Sequence, residues 1–212
     1  MDRIYKTPAG RGSGYYEDRK SRFYGEASSV SSRLEAEEFE KSVREKYREA
    51  SHYVTAYSLR DGTEYATDNG EPSGTAGRPV LDCIVRRGLT DAAVVVVRYF
   101  GGTLLGTGGL VRAYSSAASA ALDDAGEETM EEASRLLVVT DYRFLREIKL
   151  AASSCAAMVG GADYTDRVAL QITVRTGCAG GFISRVRDIT AGSAEIKELG
   201  TEFAASSEFD KK

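Results

Sequence analysis

The fold depends first on residues 92–114, which read AAVVVVRYFGGTLLGTGGLVRAY. The apolar run Ala92–Val97 predicts a strand that is buried on both faces and is therefore central in its sheet. Apolar residues recur at helical spacing after the glycines: Leu110, Tyr114, Ala117 and Ala121. The small residues between them let a helix lie close to the sheet, and Gly126 is expected to end it.

The residues before this strand predict the order β, α, β, β. Residues 14–30 are typical of one strand or a pair of strands. Ser32 and Glu35 form a capping box, in which the serine oxygen accepts from a first-turn amide and the glutamate reaches back to the cap amide. The runs 52–59 and 63–67 flank Asp61-Gly62, a dipeptide that suits a two-residue hairpin turn.

A short helix is expected between this hairpin and the central strand. Pro79 suits its first turn, and Gly88 suits its end. Three apolar residues are predicted to face inward: Leu81, Ile84 and Val85. The N-terminal half therefore carries three predicted helices.

The remainder of the chain predicts a different order, β-α-β-β-α-β. Its elements are expected at residues 136–140, 143–155, 162–164, 168–174, 180–189 and 196–203. This is the ferredoxin-like order. The prediction is thus an α+β protein with two domains, residues 1–126 and residues 127–212.

Composition excludes several classes of protein. The 212 residues are 42% hydrophobic and 28% charged, which suits neither a disordered tail nor a membrane chain. The net charge of −4 argues against a protein that coats nucleic acid through its overall charge, although it is compatible with a local basic patch.

The three cysteines, Cys83, Cys155 and Cys178, are too far apart for a disulfide framework or a zinc cage. Cys83 is interpreted as a small hydrophobe rather than a nucleophile. The apolar run at 92–97 is too short to cross a bilayer. We therefore expect a cytoplasmic protein without a membrane partner, a metal or a cofactor.

Two glycine-rich loops flank the short helix and the buried strand. The first presents five polar side chains: Asp68, Glu71, Ser73, Thr75 and Arg78. The second runs from Arg98 to Arg112 and carries Gly101, Gly102, Gly106, Gly108 and Gly109. Glycines and free helix amides let an anion approach the backbone, and the two arginines would add forked donors for phosphate. A tight turn for close strand–helix packing is the alternative interpretation.

Both loops carry a resemblance to a known family. Residues 68–77, DNGEPSGTAG, and residues 95–114 resemble the signature of the IMPACT/YigZ family. Lys20–Phe23 and Ala50–His52 also resemble it, so the match covers the N-terminal half. Asn69 departs from the family pattern, in which a second aspartate is common, and this argues against a paired-carboxylate metal site at Asp68.

The resemblance implies a fold and a function. The fold would combine a ribosomal-protein-type domain, as in domain IV of elongation factor G, with a ferredoxin-like domain resembling its domain V. Those relatives act on ribosomal RNA, so the resemblance implies a translation regulator that binds ribosomal or structured RNA. The predicted binding residues are the five side chains of the first loop and Arg98, Tyr99, Gly101, Gly102, Gly106, Gly108, Gly109 and Arg112.

Two functions remain open at this point. In the first, a non-enzymatic protein contacts RNA through these residues with Lys20 and Arg22, while Tyr99, Phe100 and Tyr114 either stack on bases or lie in the core. In the second, an enzyme or sensor binds a nucleotide or phosphorylated small molecule in the glycine-rich groove. Asp68, Glu71 and His52 are then acid–base candidates. The first is preferred, no catalytic residue is assigned, and the oligomeric state is left open.

Overall fold

The computed structural model describes residues 3–210 and divides into two compact units. The N-terminal unit comprises Lys6–Glu128, and the C-terminal unit comprises the described residues from Thr129 onward together with residues 3–5. This division lies close to the boundary predicted between residues 126 and 127. Residues 3–5 differ from the prediction, which placed them in the N-terminal domain, and strand β1 (Ile4–Pro8) begins within this segment. There the amide of Glu132 donates to the Arg3 carbonyl at 2.8 Å.

The N-terminal unit is a five-stranded antiparallel sheet with three helices. Its strands are β2 (Gly12–Asp18), β3 (Ser21–Ser29), β4 (His52–Ser58), β5 (Glu64–Ala66) and β6 (Ala92–Tyr99). Its helices are α1 (Arg33–Lys46), α2 (Gly77–Arg86) and α3 (Gly106–Ala125). The strand order is β2-β3-β6-β4-β5, so β6 is central, as predicted.

Helices cover both faces of this sheet, which explains the continuous apolar run of β6. Val94 and Val96 belong to the core cluster that contains residues of α2 and α3. Val95 and Val97 belong to the cluster that contains Phe39 of α1. Each valine therefore has an apolar neighbour whichever face it points to.

Close approach of α3 to the sheet depends on glycines in β2 and β3. A Cβ at Gly25 would lie 2.3 Å from the Ala117 carbonyl oxygen, and one at Gly14 would lie 2.5 Å from the Ala121 amide nitrogen. Larger residues at these positions would push the helix away. The small residues of α3 therefore lie against glycines in the neighbouring strands.

The C-terminal unit has the predicted β-α-β-β-α-β order. Its elements are β7 (Glu127–Thr140), α4 (Leu145–Ser154), β8 (Met158–Tyr164), β9 (Val168–Arg175), α5 (Ala179–Ile189) and β10 (Glu195–Ala205), followed by the short α6 (Ser206–Phe209). The order β10-β7-β9-β8 is antiparallel, and β1 also pairs with β7. This is a ferredoxin-like sheet, and the α+β class is confirmed. The likeness to domains of elongation factor G stays a prediction.

The start of α1 differs in one respect from the predicted capping box. The Glu35 amide donates to Ser32 Oγ at 3.3 Å, as expected. The Glu35 carboxylate instead accepts from the Ser31 amide at 2.7 Å and the Ser31 hydroxyl at 2.8 Å. These bonds lower the pKa of Glu35. Ser31 offers two donors where the cap amide offers one, which favours this arrangement.

The hairpin turn and one helix position also differ from the predictions. The Leu59 amide donates to the Thr63 carbonyl at 2.8 Å, so residues 60–62 form a three-residue turn rather than a two-residue one. Gly62 adopts a φ of 89° there, while the Asp61 carboxylate accepts the Thr63 amide at 2.8 Å. Val85 is 42% exposed because it points away from the inward face that contains Ile84.

Across residues 3–210, no helix combines the length and the apolar character needed to cross a membrane.

Candidate functional site

Asp68 organises the first glycine-rich loop. Its carboxylate accepts from the amides of Gly74 at 2.8 Å, Ala76 at 3.0 Å and Gly77 at 2.8 Å. Burial raises the pKa of Asp68, but these amide bonds outweigh burial, and the net pKa lies below its ordinary value. The ionised side chain therefore closes the loop over α2, and its oxygens are occupied by the backbone.

Glu71 lies at the centre of a buried polar cluster. Its Oε1 accepts from Arg98 Nη1 at 2.7 Å and from the Tyr114 hydroxyl at 2.7 Å. His52 Nε2 lies 3.8 Å from the same oxygen, and His52 Nδ1 lies 2.9 Å from the Asn69 carbonyl. Burial, followed by the bond to Glu71, raises the pKa of Tyr114, so the phenol stays protonated and donates. Tyr114 is a core residue and offers no stacking face.

Arg98 extends this cluster toward the second glycine-rich loop. Its Nη2 donates to Ser21 Oγ at 3.4 Å, which also accepts the Gly101 amide at 3.1 Å. The guanidinium lies 5.4 Å from the Phe23 ring centroid and 5.5 Å from that of Phe100. Only 4% of the residue is exposed, so the structure directs its donors inward rather than toward a surface ligand.

The β2–β3 turn carries two cations on an unusual backbone. Asp18 pairs with Ser21, which leaves Arg19 and Lys20 as the turn residues, with φ values of 46° and 65°. The left-handed region costs an L-residue other than glycine about 1–2 kcal/mol. A Cβ at Gly101 would lie 2.1 Å from the Lys20 carbonyl carbon, so the second loop closes directly against this turn.

We call the surface formed by Arg19, Lys20, Arg22, Phe100 and Leu104 the turn surface. Arg19 Nη1 donates to the Leu104 carbonyl at 3.2 Å, and Arg22 lies 5.5 Å from the Tyr99 ring centroid. Phe100 is 49% exposed, and Leu104 is 80% exposed. Over residues 3–210, no ion pair involves its three cations. Arg19 and Leu104 are not among the residues predicted from the sequence, although the cationic pair between two strand-like segments was an available signal for Arg19.

The glycines of the second loop have separate roles. Gly102 and Gly106 adopt φ values of 86° and 73°, which an L side chain rarely adopts. Gly109 is buried, and a Cβ added there would lie 3.0 Å from Leu105 Cβ. A Cβ added at Gly108 would meet no atom within 4 Å. No side chain caps the first turn of α3. Its amides are therefore left for water or a ligand.

The remaining predicted residues lie in different surroundings. Ser73 is exposed, whereas Thr75 is buried and donates to the Pro72 carbonyl at 2.6 Å. Arg78 is exposed and pairs with Asp82 at 2.7 Å. Arg112 is exposed on α3. The described residues contain no group of three or more His, Cys, Asp or Glu side chains that could hold a metal ion.

Comparisons with known proteins converge on one family. Residues 19–122 match the family model described as the Impact N-terminal domain. The chain is 34% identical over 181 residues to IMPACT family member YvyE of Bacillus subtilis (strain 168), covering 84% of this chain and 83% of the relative. It is 30% identical over 184 residues to IMPACT family member YigZ of Escherichia coli (strain K12), covering 85% and 90%.

The similarity extends to a solved structure and to a third relative. A crystal structure described as that of a hypothetical protein aligns with a TM-score of 0.65 and 28% identity, covering 92% of this chain and 97% of that one. A Thermus thermophilus protein described as an IMPACT family member is 46% identical over 105 residues, covering 49% of this chain and 56% of the relative. YvyE, YigZ and the solved structure each match the chain across both units.

Proposed function

The chain belongs to the IMPACT family, and we propose that it is a non-enzymatic regulator of translation that binds ribosomal or structured RNA through the turn surface. One observation carries the proposal: Arg19 and Lys20 both occupy left-handed backbone in a turn that Gly101 closes against. Strained backbone persists where the surrounding structure enforces it, and it is concentrated at functional sites. Here the strained residues are the cations themselves.

Local charge supports contact with phosphates. The turn surface carries three cations that form no ion pair within the described residues, although the whole chain has a net charge of −4. A cation without a carboxylate partner attracts a phosphate more strongly than a cation in an ion pair, and these three cations are of the first kind. The uncapped first turn of α3 follows Leu104 in the chain and supplies backbone amides of the kind that bind anions.

Exposed apolar groups on the same surface support contact with bases. Phe100 is 49% exposed and lies in a loop held by the Ser21–Gly101 hydrogen bond. Unpaired RNA bases stack on aromatic rings and arginine planes. The combination favours single-stranded or looped RNA over a regular duplex.

Acid–base chemistry finds less support in the same region. Both oxygens of Asp68 accept hydrogen bonds from backbone amides, and Glu71 Oε1 accepts hydrogen bonds from Arg98 and Tyr114.

We also propose that the protein acts in the cytoplasm, because the free thiols of Cys83, Cys155 and Cys178 suit a reducing compartment.

Co-sedimentation with ribosomal subunits across a salt series tests this function. We expect binding that weakens with salt. In Lys20→Gln and Arg19→Gln the log–log salt slope should be smaller by about 1 for each phosphate that the variant no longer neutralises. Lys41→Gln, an exposed lysine on α1, is the matched control and should bind like the parent chain. Absence of binding at low salt, or parent-like binding by both turn variants, would refute the proposal.

A further inference from the structure

A groove runs between α2 and α3 within the N-terminal unit, apart from the turn surface. It has a volume of about 430 Å³, and its lining includes Arg78, Asp82, Cys83, Arg86, Arg87 and Ser119. We propose that this groove is a binding site for a small phosphorylated compound that has no aromatic base. The inference goes beyond the proposed RNA binding, because it rests on different residues.

Charge in the groove favours an anion. Asp82 is the only carboxylate among the described residues that line it, and three arginines face it. Arg78 Nε lies 2.7 Å from Asp82 Oδ1, and Arg86 Nη2 lies 3.8 Å from Asp82 Oδ2. Arg87 pairs with Asp123 outside the lining, so two carboxylates face three guanidinium groups and the groove keeps an excess of one positive charge. A phosphate group is attracted by that excess and matches the forked donors of arginine.

Two further contacts fix the position of Arg87 before a ligand binds. Arg87 Nη2 donates to the Ser119 carbonyl at 3.2 Å, and its Nη1 lies 2.8 Å from the exposed carboxylate of Asp123. Arg87 is thereby held in place before a ligand arrives. Residues 78, 82 and 86 follow one another at four-residue spacing and so line one stripe of α2. Less side-chain ordering is then needed on binding.

The floor of the groove limits the kind of ligand. It contains the thiol of Cys83, which receives a hydrogen bond from Ser119 Oγ at 3.6 Å, and the hydroxyl-bearing Ser115. Among the described lining residues no aromatic ring offers a surface for base stacking. The volume lies in the range of small-molecule sites. These features suit a sugar phosphate or a pyrophosphate group more than an RNA base.

Alkylation of Cys83 by iodoacetamide, quantified by peptide mass spectrometry, tests the site. The probes are inorganic pyrophosphate and ribose 5-phosphate, with sodium chloride at equal ionic strength as the reference. At about ten times the Kd of either probe, we expect alkylation of Cys83 to slow about tenfold, because only ligand-free protein reacts. Cys178 is exposed in the C-terminal unit and should react at an unchanged rate.

Variants separate the outcomes. Arg86→Gln removes a side chain that is 82% exposed, so it should fold normally and lose the protection. Lys41→Gln should keep it. The thermal midpoint should rise with pyrophosphate in the parent chain but not in Arg86→Gln, and this provides a readout independent of thiol reactivity. No protection together with no midpoint shift, equal effects in Arg86→Gln, or protection by a single-stranded RNA oligonucleotide alone would overturn the proposal. None of these results depends on whether the turn surface binds ribosomes.

Discussion

Arg98 and Glu71 form an ion pair inside the N-terminal unit, with 2.7 Å between Nη1 and Oε1 and with side chains only 5% and 4% exposed. The pair joins the end of the central strand to the loop that Asp68 closes. Tyr114 of α3 donates to the same carboxylate, so strand, loop and helix meet at one oxygen. The positions of both glycine-rich loops depend on this contact.

Loss of one partner of this pair should be severe. Glu71→Ala leaves a buried guanidinium without its counter-charge, and we expect the free energy of unfolding to fall by about 3–5 kcal/mol. Urea denaturation measures the change. Glu71→Leu combined with Arg98→Met should cost less than the sum of the two single changes, because it leaves neither charge unpaired. Additive costs would contradict the pairing.

Asp68 should make stability depend on pH in the acid range. Its folded pKa lies below its ordinary value, because amide bonds outweigh burial. Its contribution is therefore present above the unfolded pKa of about 3.9, and is lost as the pH falls through the folded pKa. Asp68→Asn should be less stable than the parent at pH 7, with a gap that narrows toward pH 2–3 in urea titrations at each pH. A gap independent of pH would contradict this account.

The glycine contacts beneath α3 should tolerate no side chain. Gly25→Ala places a Cβ 2.3 Å from the Ala117 carbonyl oxygen, and we expect a loss of at least about 1–3 kcal/mol as helix and sheet separate. Gly108→Ala is the matched control, because its Cβ meets nothing within 4 Å. It should leave stability unchanged or raise it by up to about 1 kcal/mol through helix propensity. Thermal unfolding of both variants distinguishes the two environments.

Stability and binding should move in opposite directions at Lys20. Lys20→Gly relieves a left-handed cost of about 1–2 kcal/mol, while greater freedom of the unfolded chain offsets about 0.4–1 kcal/mol. We therefore expect a free energy of unfolding that is equal or higher, together with weaker and less salt-dependent ribosome binding. Denaturation and co-sedimentation of the same preparation measure both. A less stable variant would show that the turn stores no strain.

Local pattern was sufficient for most elements. The six apolar residues 92–97 require a strand with cover on both faces, and the alternation at 168–174 requires a strand with one buried face. The serine oxygen at position 32 begins α1 in the predicted place. Each of these features depends on neighbours within a few residues, so the chain carries the information locally.

The candidate site depends on contacts between residues that are far apart in the chain. Arg98 follows an apolar run and precedes glycines, a context that suits either a surface donor or a buried charge. Glu71, 27 positions earlier, allows the Arg98 guanidinium to be buried, because a guanidinium leaves water only where a counter-charge and hydrogen bonds replace its hydration. The groove likewise requires Arg87 and Ser119 to meet across two helices. Local sequence pattern thus accounts for which helices and strands form, whereas the packing of distant elements sets which cations remain available to a ligand.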